Sequence, residues 1–151
     1  MTVRVQTEDF DAGREIAALR AGDARVGAVA TFIGTVRDGS DASDAPKVSA
    51  LTLEHYPGMT EKSLESIVIE ARGRFNILDA LVVHRVGALA PTDQIVLVVV
   101  TSAHRGEAFD ACRFLMDFLK AHAPFWKKEA TSEGTRWVDA RTSDDEAAAR
   151  W

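Results

Sequence analysis

Lysines flank an aromatic turn in the segment Lys120-Ala-His-Ala-Pro-Phe-Trp-Lys-Lys-Glu129. A helical pattern runs into it and stops at Pro124, which cannot continue a helix. Ammonium groups brought together by a rigid turn can bind and activate an anion. A lysine held among other cations gives up its proton more readily and can then act as base or nucleophile. Lys127 and Lys128 are adjacent, so an extended backbone sends them to opposite faces and at most one of them joins Lys120; Lys127 does so if the even-numbered neighbours face the other way. Lys120 also suits the C-terminal end of a helix dipole with no further role. Spacing alone is equally served by an active site and by a solvated basic patch.

Two other segments could bind anions. Thr101-Ser-Ala-His104-Arg105 lies where an apolar strand meets a helix. The unpaired N–H groups of a first helical turn attract phosphate or carboxylate, and His104 and Arg105 would add charge. The plainer reading is a Ser102 cap followed by two exposed polar residues. Arg37 stands at a strand exit beside a loop, a frequent place for function and also for a solvated arginine. His84 falls in an apolar strand and reads as a core or edge histidine. No Ser-His-Asp or paired-carboxylate arrangement stands out.

The 151 residues make one domain of ordinary size, with 46% hydrophobic and 27% charged residues. A formal net charge of −5 argues against a nucleic-acid partner. Cys112 is the only cysteine, which excludes an internal disulfide, and its apolar helical setting reads as an inert core thiol. The expected metal content is none, because neither Cys-x-x-Cys nor His-x-x-x-His occurs. No signal-peptide pattern or membrane-length apolar run is present, so the expected location is the cytoplasm.

These residues need elements to hold them. Val3–Gln6 reads as a strand and Asp9–Arg20 as a helix with Phe10, Ile16 and Leu19 inward. Val26–Val36 reads as a buried strand, being almost continuously apolar. Residues 38–47 read as a mobile loop. Val48–His55 alternates, with Leu51, Leu53 and His55 on one face. After Pro57-Gly58 a helix runs to about Arg74, with Leu64, Ile67, Val68 and Ala71 as its apolar stripe. Leu78–Val86 and Ile95–Thr101 read as strands, the second central. Ser102–His122 is a long helix with Ala108, Phe109, Cys112, Leu115, Met116 and Leu119 inward. Trp126–Thr131 and Arg136–Ala140 suggest a hairpin across Glu133-Gly134, in which Trp126 and Trp137 pack, and Ser143 suggests the cap of a last helix. Trp151 carries no signal. The irregular order reads as α+β, and without a Gly-x-Gly-x-x-Gly turn a dinucleotide site has little support.

Together, Leu51-Thr-Leu-Glu-His-Tyr-Pro-Gly-Met59, Thr101–Arg105 and Ala123-Pro-Phe-Trp-Lys-Lys-Glu129 resemble the molybdopterin synthase catalytic (large) subunit family. Phe32-Ile-Gly-Thr-Val-Arg37 and Arg136-Trp-Val-Asp-Ala-Arg141 fit the same pattern, in order, over nearly the whole chain. The resemblance implies an α/β hammerhead-type core with an additional α+β part. It implies a sulfurtransferase that makes the molybdopterin dithiolene from cyclic pyranopterin monophosphate (precursor Z). Sulfur would come from the C-terminal Gly-Gly thiocarboxylate of a small ubiquitin-like carrier subunit. Because that sulfur is already activated, no cofactor is implied. The implied assembly is a homodimer within a heterotetramer, with no nucleic acid and no membrane. Carried over by position, Lys120 and Lys127 are catalytic, and Arg37, His104, Arg105 and Arg141 bind substrate. The pocket would lie near the dimer interface, so His104, Arg105 and Arg141 could serve the neighbouring protomer's lysines. Two departures stand out: Thr35 replaces a frequent lysine, and Pro91-Thr92-Asp93 replaces a frequent Pro-Gly-Asp turn. The rivals are a scaffold that binds a carrier tail without turnover, and an unrelated phosphate-ester enzyme using His104 and Lys120.

Overall fold

The computed structural model describes residues 2–41, 46–138 and 142–151. The fold is α+β, with two four-stranded sheets and four helices among the described residues. In chain order the elements are β1 (Val3–Gln6), α1 (Ala12–Arg20), β2 (Ala28–Thr35), β3 (Val48–His55), α2 (Met59–Arg74) and β4 (Asp79–Arg85). There follow β5 (Gly87–Leu89), β6 (Gln94–Ser102), α3 (Arg105–His122), β7 (Phe125–Thr131), β8 (Gly134–Val138) and α4 (Thr142–Ala149).

The first sheet has the order β1-β4-β6-β2; β1 pairs parallel to β4 and the other pairs are antiparallel. Its central strands are covered on both sides, which is why Ala80–Val83 of β4 and Ile95–Val100 of β6 are apolar without a break. Val82, Val96, Val98 and Val100 pack with Leu64 and Val68 of α2 and Phe114 and Leu115 of α3. Leu81, Val83, Leu97 and Val99 face the other way, onto Phe10, Ile16 and Leu19 at α1. The stripe expected on α2 is buried throughout. Cys112 is buried in the main core, and that burial pushes its thiol up to about 11, as an inert core thiol requires.

The second sheet has the order β5-β3-β7-β8 and is antiparallel throughout. Alternation holds on β3, where Leu51 and Leu53 are buried and Glu54 is exposed. The hairpin turns at Ser132-Glu133, with Thr131 opposite Gly134.

Several expectations need correction. Val26–Val36 is not a buried strand: β2 is an edge strand of the first sheet, and Val29, Phe32 and Ile33 are 38–42% exposed. Phe109 does not join the core, being 66% exposed. Trp126 and Trp137 lie on the outer face of the second sheet, half exposed, with the Lys128 ammonium 5.5 Å from the centre of the Trp137 ring. Trp151 does pack. Its indole N–H donates to Asp117 (2.7 Å), and its ring meets Phe75 and Phe114 edge-on. Ser102 ends β6 and donates to the Asn76 carbonyl (2.8 Å), and the α3 cap is His104. No helix among the described residues is long and apolar enough to cross a membrane.

Candidate active site

The C-terminal end of α3 reaches the second sheet, and a cavity of about 660 Å³ lies there between the two sheets. That volume suits a small ligand. Strand alternation decides which side chains reach it. On β7, Phe125, Lys127 and Glu129 face the cavity, while Trp126 and Lys128 face away. On β8, Arg136 and Val138 sit directly opposite Glu129 and Lys127, so they share that face. Lys120 enters from the last turn of α3, and Arg37 from the chain just after β2.

Four basic side chains, Arg37, Lys120, Lys127 and Arg136, therefore meet three acids, Asp41, Glu129 and Asp144, among the described lining residues. Arg37 pairs with Asp41 at 2.8 Å and Arg136 with Glu129 at 3.2 Å. The concentration of cations contrasts with the acidic chain as a whole, and an anionic ligand is what it suits.

The Arg37 end of the cavity is tied to the turn after β5. Thr92 donates its N–H to the Val36 carbonyl and Val36 donates to the Asp93 carbonyl, both at 2.9 Å. Thr92 adopts φ 79°, a left-handed conformation that a β-branched residue disfavours and that glycine takes freely. The replacement of a frequent glycine by Thr92 thus falls where the backbone would favour glycine. Thr35 also lines the cavity, so a lysine there would have added another cation.

The MoaE protein family model matches residues 5–122. The molybdopterin synthase catalytic subunit of Ralstonia nicotianae is 65% identical over 99% of this chain and 84% of its own length. The molybdopterin biosynthesis MoaE protein of Burkholderia ambifaria superimposes with a TM-score of 0.83 at 57% identity, covering 99% of this chain and 97% of that one. The chain belongs to the MoaE family of molybdopterin synthase catalytic subunits. At 18% identity, a protein–protein complex of subunits 1 and 2 of molybdopterin-converting factor from Helicobacter pylori shares the fold, with a TM-score of 0.71, covering 93% of this chain and 92% of that one.

Within this MoaE-family chain, Arg37, Lys120 and Lys127 come together at one cavity. His104 and Arg105 do not. They are exposed at the opposite end of α3, and fifteen residues of helix separate Arg105 from Lys120, about 22 Å. Arg141 lies outside the described residues, as do residues 42–45 of the loop. Sequence reasoning missed Glu129 and Arg136 as cavity residues. The signal was available: Lys127 and Glu129 are two apart on one strand, and a two-residue turn at Ser132-Glu133 sets Arg136 opposite Glu129.

His84 is a core histidine, as expected, and it also lines the cavity. Its ring stacks on Phe125, with centroids 3.8 Å apart and planes 19° apart. Its Nδ1 lies 2.8 Å from the Arg85 carbonyl, so Nδ1 carries the proton and Nε2 the lone pair. Burial holds the pKa down to about 3; the nearby Lys120, Lys127 and His55 add to the depression, and the carbonyl contact opposes it. The sign follows. Below its ordinary pKa of 6.5, the unfolded imidazole takes a proton that the folded one refuses. The stabilisation is therefore complete above about pH 6.5 and is lost as pH falls toward 3. Between pH 7 and pH 5 this residue should cost about 2 kcal/mol of unfolding free energy. Urea titrations of wild type and His84→Asn at both pH values check it; equal acid slopes would refute the assignment.

Proposed function

We propose that this cavity is where two sulfur atoms pass from a thiocarboxylated carrier to precursor Z, giving the dithiolene of molybdopterin. The observation that carries the reading is the convergence of Lys120 and Lys127, from two different elements, on one cavity with Arg37 at its edge. The family supplies the product, and the cationic cavity suits both anions the reaction needs. Lys120 meets the thiocarboxylate and stabilises charge that develops as sulfur is transferred. Lys127 supports it from β7, and Arg37 takes part of the substrate's phosphate by charge-assisted hydrogen bonds. The complex formed by the Helicobacter pylori neighbour supports a small carrier subunit as partner.

The remaining phosphate contacts, His104 and Arg105, are assigned to a second copy of the chain. Edge strand β2 supports that assignment. It begins beside the α3 N-terminus, where Gly27 donates to Ser102 and Ala28 pairs with Ser102, and it ends at Thr35 on the cavity. Among the described residues its outer edge is unpaired, and it carries exposed Val29, Phe32 and Ile33, a surface that favours association. Antiparallel pairing of two β2 strands about a two-fold axis would bring the start of one beside the end of the other. His104 and Arg105 of one protomer would then approach the cavity of its partner. Arg141 is proposed as a further basic contact near the pocket, and a carrier at each end would make the assembly a heterotetramer.

Purified chain, thiocarboxylated carrier and precursor Z should yield molybdopterin, detected after oxidation as a fluorescent pterin. Carrier binding without product would favour a scaffold. Carrier-independent hydrolysis of simple phosphate esters would favour the phosphate-ester enzyme.

A further inference from the structure

The separation of Lys120 and Lys127 depends on the chain between them. α3 ends at His122, Ala123 donates its N–H to the Leu119 carbonyl (3.2 Å), and Phe125 donates to the Ala123 carbonyl (2.9 Å). Pro124 has no N–H to anchor the turn, so its carbonyl is the group available for that purpose. The hydroxyl of Thr60 donates to it at 3.0 Å. The same hydroxyl accepts the N–H of Tyr56 at 2.9 Å. Thr60 is wholly buried, and Phe125, next in the chain, is braced on its other side by the His84 ring.

We propose that Thr60 is a positioning residue of the active site: through Pro124 it fixes the turn that sets how closely Lys127 approaches Lys120. Thr60 is not among the residues that line the cavity, so it acts through the turn and not on substrate. Its place in the first turn of α2 gives it a rigid base, because Gly58, at φ 85°, starts the helix there and donates its N–H to Glu61 (3.0 Å). The Tyr56–Thr60 corner and the Pro124–Lys127 turn, far apart in sequence, are in this way one mechanical unit. A misplacement of about 1 Å between reacting groups can cost on the order of a hundred-fold in rate.

The inference rests on the sulfur-transfer reading, so its test needs an arm that does not. Thr60→Val keeps the side-chain shape and removes the hydroxyl; Thr60→Ser keeps the hydroxyl. With carrier and precursor Z, T60V should lose about ten- to a hundred-fold in kcat with KM for the carrier within about two-fold, and T60S should stay within about three-fold of wild type. Independently of turnover, the NMR signals of ¹³C-methylated Lys120 and Lys127 should move in T60V and return in T60S. Thr60→Ala repeats the comparison should T60V fold poorly, and all rates refer to protein that unfolds cooperatively. Lysine signals unchanged in T60V, or T60V turning over at the wild-type kcat, would overturn the positioning role. A wild-type protein that makes no molybdopterin would overturn the sulfur-transfer reading and leave the lysine signals to decide this one.

Discussion

Lys120→Ala is expected to lower molybdopterin formation by at least about a thousand-fold while the protein stays folded. Lys120 is exposed on the last turn of α3, so its truncation removes little of the core that Leu115 and Leu119 build beneath it. What is lost is the ammonium group at the end of the cavity where β7 delivers Lys127. Single-turnover assays with thiocarboxylated carrier measure the loss, and near-normal product would sink the assignment. Lys120→Arg separates two versions of the role. Arginine keeps the charge but does not give up its proton. A partly active K120R would point to charge stabilisation alone. An inactive one that still binds carrier would point to proton transfer or a transient covalent link.

Elements with a strong period were legible in the sequence. The α2 stripe of Leu64, Ile67, Val68 and Ala71 and the alternation of Leu51 and Leu53 on β3 each report a single buried face, and periodicity encodes that directly. β2 was misread for the opposite reason. A continuous apolar run is expected when a strand is covered on both faces, but Val29, Phe32 and Ile33 lie on an edge whose pairing no local pattern reveals. The same holds for Phe109 and for Trp126 and Trp137: an aromatic side chain signals burial somewhere, including against another molecule, and the chain alone does not say where. Trp151 errs the other way, since its anchoring depends on Asp117, Phe75 and Phe114, which are remote in sequence.

The site was legible as residues and not as an arrangement. Lys120 and Lys127 could be named from one short segment; strand alternation said that Lys127 and Lys128 part to opposite faces, and the structure sets Lys127 toward the cavity and Lys128 away from it. The wall opposite β7 comes from β4 through His84, and the Arg37 end depends on hydrogen bonds to the Thr92 turn. Those contacts follow from sheet order, which composition does not carry.

The distance of about 22 Å along α3 between Arg105 and Lys120 leads to the second large effect. If His104 and Arg105 complete the partner's cavity, a protomer carrying Lys120→Ala and one carrying His104→Ala with Arg105→Ala should each be inactive as homodimers. A mixed dimer of the two, purified through different tags, would hold one cavity with both defects and one with neither. It should recover about half the wild-type activity per dimer. Service within a single protomer predicts the reverse, because every cavity in the mixed dimer would then lack one required group and activity would stay at the level of the parents. Phe32→Glu in the same strands should weaken the mixed dimer and its recovered activity together, since β2 is the edge assigned to the contact. A Phe32→Glu mixed dimer that stays associated by light scattering and keeps its recovered activity would remove β2 from the interface while keeping the shared site; recovery that persisted after complete dissociation would refute the shared site itself.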